Sequence, residues 1–95
     1  MKEALIIHPT KANGHRRLTA NLITAFGGVT VVNGKGYWLD GSKNLITEAV
    51  KLYTVACEDI DLTYFNLKAI ALEAKADGAQ DKQYLRYPTG KVVLL

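Results

Sequence analysis

Tyr37 and Glu48 are the residues of this chain whose types and spacing best suit binding chemistry, because they stand eleven positions apart on either side of a turn signal. Asp40-Gly41 between them is typical of a β-hairpin with antiparallel flanking strands. Folding the chain back there brings a phenol ring and a carboxylate toward each other. A carboxylate beside an aromatic face suits a small cationic ligand. The alternative is an ordinary cross-strand tyrosine and a solvated strand glutamate.

The hairpin register decides whether this pair can share a site, and the sequence leaves two registers open. A connection spanning about Gly41 to Asn44 pairs Tyr37 with Glu48 on one face of the sheet. A two-residue Asp40-Gly41 turn pairs Tyr37 with Asn44 and moves the carboxylate roughly 13 Å along its strand. Opposite faces, with no neighbouring subunit to complete the pair, would exclude a shared site.

Length and composition indicate one small globular domain, residues 1–95, of ordinary apolar content. The chain is 48% hydrophobic and 22% charged, with a formal net charge of +3. Its basic residues are scattered, so no nucleic-acid partner is expected. The single cysteine, Cys57, fits a reducing compartment. Met1-Lys2-Glu3 leads directly into a short strand, which predicts no signal peptide, no membrane span and a cytoplasmic location.

The hydrophobic pattern predicts the order of elements. Strands are expected at Ala4–Ile7, Val29–Val32 resuming at Tyr37–Leu39, Leu45–Cys57, and a last extended segment from Tyr84–Tyr87 to Lys91–Leu95; helices are expected at Arg16–Phe26 and from Asp61 or Thr63 to Gly78. The sum is β-α-β-β-α-β, which predicts an α+β ferredoxin-like sandwich of four antiparallel strands with two helices on one face.

Three details of packing follow from this pattern. The second helix is predicted to carry one apolar stripe, formed by Leu62, Phe65, Ala69, Leu72 and Ala76. Gly34 and Gly36 are expected to interrupt the second strand as a bulge or a turn. The sheet face left uncovered by the helices predicts a homo-oligomer, in which a site on the sheet can lie between subunits.

Several other chemistries fit the sequence less well. His8 and His15 have no third ligand in register, so no metal site is expected. Cys57 is predicted to be a core residue rather than a nucleophile. A basic group near the first helix suits either a phosphate or simple solvation; it comprises Lys11, His15, Arg16 and Arg17. An RNA-recognition domain would share the element order, but the first strand offers no aromatic residue for base stacking.

Beside these observations, the chain resembles the phage-encoded S-adenosylmethionine lyases, formerly described as S-adenosylmethionine hydrolases. The resemblance rests on a helix ending at glycine, a β-rich segment, Gly-Tyr at Tyr37, and a strand glutamate at Glu48. Val55–Asp59 and Gln80-Asp81 are similar to segments that end the glutamate strand and lead into the last strand of that family.

The resemblance implies a cofactor-free lyase that cleaves S-adenosylmethionine to methylthioadenosine and homoserine lactone by attack of the substrate's own carboxylate. It implies that Glu48 holds the α-ammonium or complements the cationic region, that Tyr37 orients the methionyl part, and that Gln80 contacts adenine or the sugar. It also implies a homotrimer with sites between subunits, acting in the cytoplasm of a phage host. The alternative function is a non-enzymatic ferredoxin-like module that binds a small ligand or a protein.

Overall fold

Two helices cover one face of an open antiparallel sheet in an α+β arrangement. The computed structural model describes residues 1–95. The elements in chain order are β1 (Lys2–Pro9), α1 (His15–Phe26), β2 (Thr30–Leu39), β3 (Leu45–Cys57), α2 (Asp61–Asp77), β4 (Tyr84–Arg86) and β5 (Val92–Leu94). The strands lie in the order β2-β3-β1-β4-β5, and all neighbouring strands are antiparallel. Neither helix is long and apolar enough to cross a membrane.

The sheet has five strands, so the predicted count of four is wrong. The last extended segment folds back on itself, and β4 pairs with β5. Its turn is closed by the main-chain N–H of Gly90, which donates to Tyr87 O at 2.8 Å. Gly90 has a φ of 91°, a left-handed conformation that glycine adopts without a Cβ clash. The segment from Pro88 to Gly90 therefore forms the turn of a β4–β5 hairpin.

β2 is continuous, and the predicted interruption at Gly34 and Gly36 is wrong. Gly34 lies opposite Val50 and Gly36 lies opposite Glu48 in an unbroken ladder. A Cβ on Gly34 would stand 2.7 Å from the side chain of Leu52. These glycines therefore make room for neighbouring side chains on one sheet face, where a bulge would have broken the pairing.

The core lies between the sheet and the two helices. Ile6 on β1 is directly opposite Tyr53 on β3, and both side chains point toward the helices. The buried residues of the core are Ala4, Ile6, Leu18, Leu22, Tyr53, Val55, Cys57, Leu67, Ile70, Ala71, Ala74 and Leu85. Because side chains alternate along a strand, the residues between these core positions point to the other, uncovered face of the sheet.

α2 carries two apolar stripes, and the predicted one is not the stripe that packs on the sheet. The predicted residues are Leu62, Phe65, Ala69, Leu72 and Ala76, and all five are exposed. The buried stripe consists of Thr63, Leu67, Ile70, Ala71 and Ala74. Periodicity alone could not separate the two stripes. The buried stripe, with its small alanines Ala71 and Ala74, faces the core, and Phe65 lies on the other side of the helix, in solvent.

Replacing one residue of each stripe by alanine tests this assignment. Leu67 is fully buried, so Leu67→Ala should lower the free energy of unfolding by about 2–5 kcal/mol. Phe65 is 71% exposed, so Phe65→Ala should change it by no more than about 0.5 kcal/mol. Urea denaturation of both variants measures the difference, and a larger loss for Phe65→Ala would contradict the observed packing.

Cys57 is buried in the core at 4% exposure. Burial raises the pKa of its thiol, and the nearby carboxylates of Glu58, Asp59 and Glu3 raise it further. The folded pKa therefore lies above the unfolded value of about 8.5. The protonated thiol contributes stability that is complete below the unfolded pKa and is lost as the pH rises through the folded pKa.

We expect Cys57 to react with a disulfide reagent at pH 8 at least about tenfold more slowly in the native protein than in urea, because the thiolate is the reacting form. Stability should also fall as the pH rises above about 8.5, and less steeply in Cys57→Ala than in the unmodified chain. Absorbance of the released thiol and urea denaturation at several pH values measure the two effects. Equal native and unfolded reactivity would contradict burial.

Candidate functional site

The loop between β2 and β3 fixes the register of the hairpin. Leu39 pairs with Leu45, and the connection is Asp40–Asn44. Within it Asp40 Oδ1 accepts hydrogen bonds from the main-chain N–H groups of Ser42 at 2.8 Å and Asn44 at 2.9 Å. One aspartate side chain thereby organises a wider connection than the two-residue turn that Asp40-Gly41 predicts.

Both registers predicted from the sequence are wrong. Tyr37 lies opposite Thr47, and Glu48 lies opposite Gly36. Thr47 is an even number of residues from Tyr53, which faces the helices, so Tyr37 leaves the sheet on the helix side. Glu48 points to the uncovered face. Within one chain the phenol ring and the carboxylate therefore stand on opposite faces, because a one-residue change of register moves every side chain of a strand to the other face.

A cleft of about 750 Å³ lies on the uncovered face, a volume within the usual range for small-molecule sites. Its floor is the apolar surface of the sheet, where Ile7, Val50 and Leu52 contribute side chains. Glu48 and Gln80 line it, and Tyr37 borders it from β2. Because Tyr37 alternates with residues that face the cleft, we infer that it borders this space through its main chain.

Glu48 is the acidic residue of the cleft, and its charge has no partner within the chain. Glu48 is half-buried, and none of the three ion pairs of the structure includes its carboxylate. Lys82 also lines the cleft, whereas Lys35 alternates with Gly34 and Gly36 and, like Tyr37, borders the cleft from the helix side of β2. A carboxylate without a partner in an apolar cleft favours binding of a cationic group.

Gln80 lies across the cleft from the hairpin. Its Nε2 donates to the main-chain oxygen of Gly78 at 2.7 Å. This bond fixes the side chain and leaves the amide oxygen, Oε1, able to accept a hydrogen bond from a ligand.

Trp38 is the residue of the cleft that the sequence reasoning missed. It follows Gly36 by two positions on β2, so both lie on the face of Glu48. The benzene ring of the indole folds back over Gly36, and a Cβ placed on that glycine would stand 2.8 Å from it. The Gly-x-Trp spacing was the available signal, since a residue without a side chain leaves room for an aromatic ring on the same strand face.

His8 and His15 hold α1 and its preceding loop on the sheet. His8 is fully buried, with Nε2 donating to Asn13 O at 2.8 Å and Nδ1 3.0 Å from Gln83 Oε1. His15 Nε2 donates to Pro9 O at 2.8 Å, and its Nδ1 is hydrogen-bonded to the hydroxyl of Tyr53. All four ring nitrogens thus have partners within the chain, and both rings lie on the side of the sheet opposite the cleft.

Arg17, one of the basic residues near α1, also has partners within the chain. Arg17 forms ion pairs with Glu73 and, at 3.5 Å, with Asp77 on α2. These contacts join the two helices across the covered face. They give Arg17 a structural partner, which a phosphate would have to displace.

Two solved structures share this fold over almost the whole chain. One is a phage SAM lyase in complex with S-methyl-5'-thioadenosine, which superposes with a TM-score of 0.71 at 14% sequence identity and covers 98% of this chain and 87% of that chain. The other is a phage SAM lyase in the apo state, with a TM-score of 0.70 at 13% identity, covering 98% and 86%. No family model matches the chain, and no curated protein matches it significantly. The resemblance predicted from the sequence is therefore confirmed at the level of the fold, which this chain shares with the phage SAM lyases.

Proposed function

We propose that this chain is a lyase that cleaves S-adenosylmethionine to methylthioadenosine and homoserine lactone. The observation that carries the proposal is the unpartnered carboxylate of the half-buried Glu48 in an apolar cleft of small-molecule size. Its support from outside the chain is the fold shared with proteins named as SAM lyases, one of which binds S-methyl-5'-thioadenosine. The place of action that we propose is the cytoplasm.

The proposed reaction suits a site without a general base or a metal. The α-carboxylate of the substrate attacks its own γ-carbon, the bond from that carbon to the sulfonium sulfur breaks with its electron pair going to sulfur, and neutral methylthioadenosine leaves. The carboxylate and sulfonium charges cancel as the lactone forms. An apolar cleft favours such charge cancellation, because water stabilises the separated charges of the substrate more than the transition state. Folding the methionyl chain into an attacking geometry supplies the rest.

The polar residues of the cleft match the groups of this substrate. We assign Glu48 to the α-ammonium. The charge of that group persists through the reaction, so this contact does not oppose the cleavage. Gln80 is assigned to adenine or the sugar, through the amide oxygen that its bond to Gly78 leaves free.

Tyr37 can join this site only from another subunit. Its side chain is 64% exposed on the opposite face of an edge strand, where a neighbouring copy can receive it. We propose a homotrimer in which the edge strand β2 of one subunit lies against the uncovered face of the next, so that Tyr37, on the helix side of that strand, orients the methionyl group held by Glu48 of the next subunit. The subunit itself is proposed to be a ferredoxin-like unit extended by β5.

Product analysis with Glu48→Gln tests the reaction. The protein should convert S-adenosylmethionine to methylthioadenosine and homoserine lactone, with no solvent ¹⁸O in the lactone. Loss of the carboxylate that binds the ammonium should lower kcat/KM about a hundredfold or more. Chromatography with mass spectrometry measures the products. Circular dichroism should remain unchanged, because removing an unpartnered charge does not weaken the fold.

Glu73→Gln is the matched control, since it also neutralises a carboxylate but on α2, away from the cleft. It should keep the activity of the unmodified protein. Homoserine carrying ¹⁸O with no preceding lactone would replace the lyase by a hydrolase. Intact substrate after long incubation with folded protein would instead favour the ligand-binding module.

Mixing two inactive variants tests whether the site spans subunits. If Tyr37 and Glu48 of different subunits form one site, Tyr37→Ala and Glu48→Gln subunits, unfolded together and refolded, should regain activity. Random assembly of equal amounts gives about one quarter of the sites both native residues in a cyclic oligomer. Activity of the mixture, compared with each variant refolded alone, and the mass by light scattering are the measurements. No recovery in a mixed trimer would exclude the shared site.

A further inference from the structure

We propose that the indole of Trp38 is the aromatic surface that receives the sulfonium group of the ligand, beside the carboxylate of Glu48. The inference rests on the proposed function for the identity of the ligand, and it deepens that function by naming the residue that distinguishes a charged sulfonium from a neutral thioether. The aromatic-plus-carboxylate site that the sequence places at Tyr37 and Glu48 is thereby formed within one chain by Trp38 and Glu48.

Three features of β2 and β3 place the indole beside the carboxylate. Glu48 is directly opposite Gly36, and Trp38 follows Gly36 by two residues on the same face. Such a diagonal pair is separated by about 7–8 Å between backbones, within reach of an aromatic side chain. The indole leans back toward this position, since it occupies the space above Gly36 where a Cβ would lie 2.8 Å away. The absence of a side chain at Gly36 therefore brings the ring toward Glu48.

The other aromatic residues that border the cleft fit the role less well. Tyr37 leaves the sheet on the opposite face. Tyr84 is on β4, which is separated from β3 by β1, so its backbone stands about 10 Å from that strand. Trp38 is 45% exposed and lies at the cleft with no hydrogen bond or ion pair to hold it in another role. An indole also has the most attractive face for a cation among the aromatic side chains.

An indole suits a group that loses its charge during the reaction. The face attracts the sulfonium through its quadrupole and remains a good apolar contact after the sulfur becomes neutral. A carboxylate in contact with the sulfonium would stabilise the substrate and oppose the step that removes the charge. Trp38 at the sulfonium and Glu48 at the ammonium therefore divide the two cationic groups of the ligand in the way the proposed chemistry requires.

Ligand titration of the intact protein tests this assignment, because Trp38 is its only tryptophan and reports binding by its own fluorescence. The probes are sinefungin, which is unreactive and carries an ammonium group in place of the sulfonium, and S-adenosylhomocysteine, which has a neutral thioether there. Both should change the tryptophan emission. Calorimetry on Trp38→Leu should show about a tenfold loss of affinity for sinefungin and no more than about a twofold loss for S-adenosylhomocysteine.

Two further variants and one control separate this role from a structural one. Trp38→Phe retains a ring and should recover most of the preference for sinefungin. Gly36→Ala places a Cβ against the indole and should reduce that preference while leaving Trp38 in the chain. Phe65→Leu removes an exposed aromatic ring on α2 and should change neither affinity.

Equal losses for both probes in Trp38→Leu would overturn the proposal, as would unchanged tryptophan emission at saturation or no binding of either probe. The fate of the lyase reaction is measured independently. A charge-selective loss in a protein that leaves S-adenosylmethionine intact would keep the Trp38 site and reject the enzyme. Turnover of S-adenosylmethionine with equal losses for both probes would keep the enzyme and reject the Trp38 site.

Discussion

The register of the β2–β3 hairpin is the constraint on which the chemistry of this protein depends. Side chains of a strand alternate between the two faces of the sheet. A shift of the pairing by one residue would therefore replace each side chain that β2 presents on the uncovered face by that of the adjacent residue. Asp40 fixes that register by accepting two main-chain hydrogen bonds across the connecting loop. Trp38 and Glu48 consequently share the uncovered face, and Tyr37 belongs to the other. The conformation of this short polar loop thus determines which side chains of β2 and β3 line the cleft.

The sequence predicts the element order well and the relations between elements poorly. β3 begins and ends where the pattern predicts, because its sequence is rich in β-branched and apolar residues, which favour a strand. The register required the conformation of Asp40–Asn44, including Lys43 at a φ of 62°, and residue types alone do not specify it. The buried side of α2 was also undetermined, since both of its stripes are apolar and only the packed structure selects one. Gly34 and Gly36 read as strand breakers, although their role concerns the side chains around them.

The uncovered face would link the proposed site to the proposed assembly. An apolar sheet surface exposed to water is unfavourable, and a carboxylate half-buried within it is more so. Contact with ligand and with neighbouring copies in the proposed trimer would relieve both costs at once. On the long edge strand β2, Tyr37 lies on the helix side and Trp38 lies on the uncovered face. A single strand can therefore contribute one side chain to the site of its own subunit and another to the site of the next. Assembly and substrate binding are therefore expected to stabilise each other, because each completes the surroundings that the other needs.

The proposed reaction explains why such a site needs so few polar residues. The substrate contains both the nucleophile and the leaving group, and its two reacting charges cancel on the path to products. Protein charges placed at the reacting atoms would hold the substrate in its charged form and raise the barrier. A charge is useful only at the α-ammonium, which is unchanged by the reaction, and there Glu48 suffices. Elsewhere the best surroundings are apolar and shaped to the substrate, and Val50, Leu52 and the indole of Trp38 provide an apolar lining of this kind.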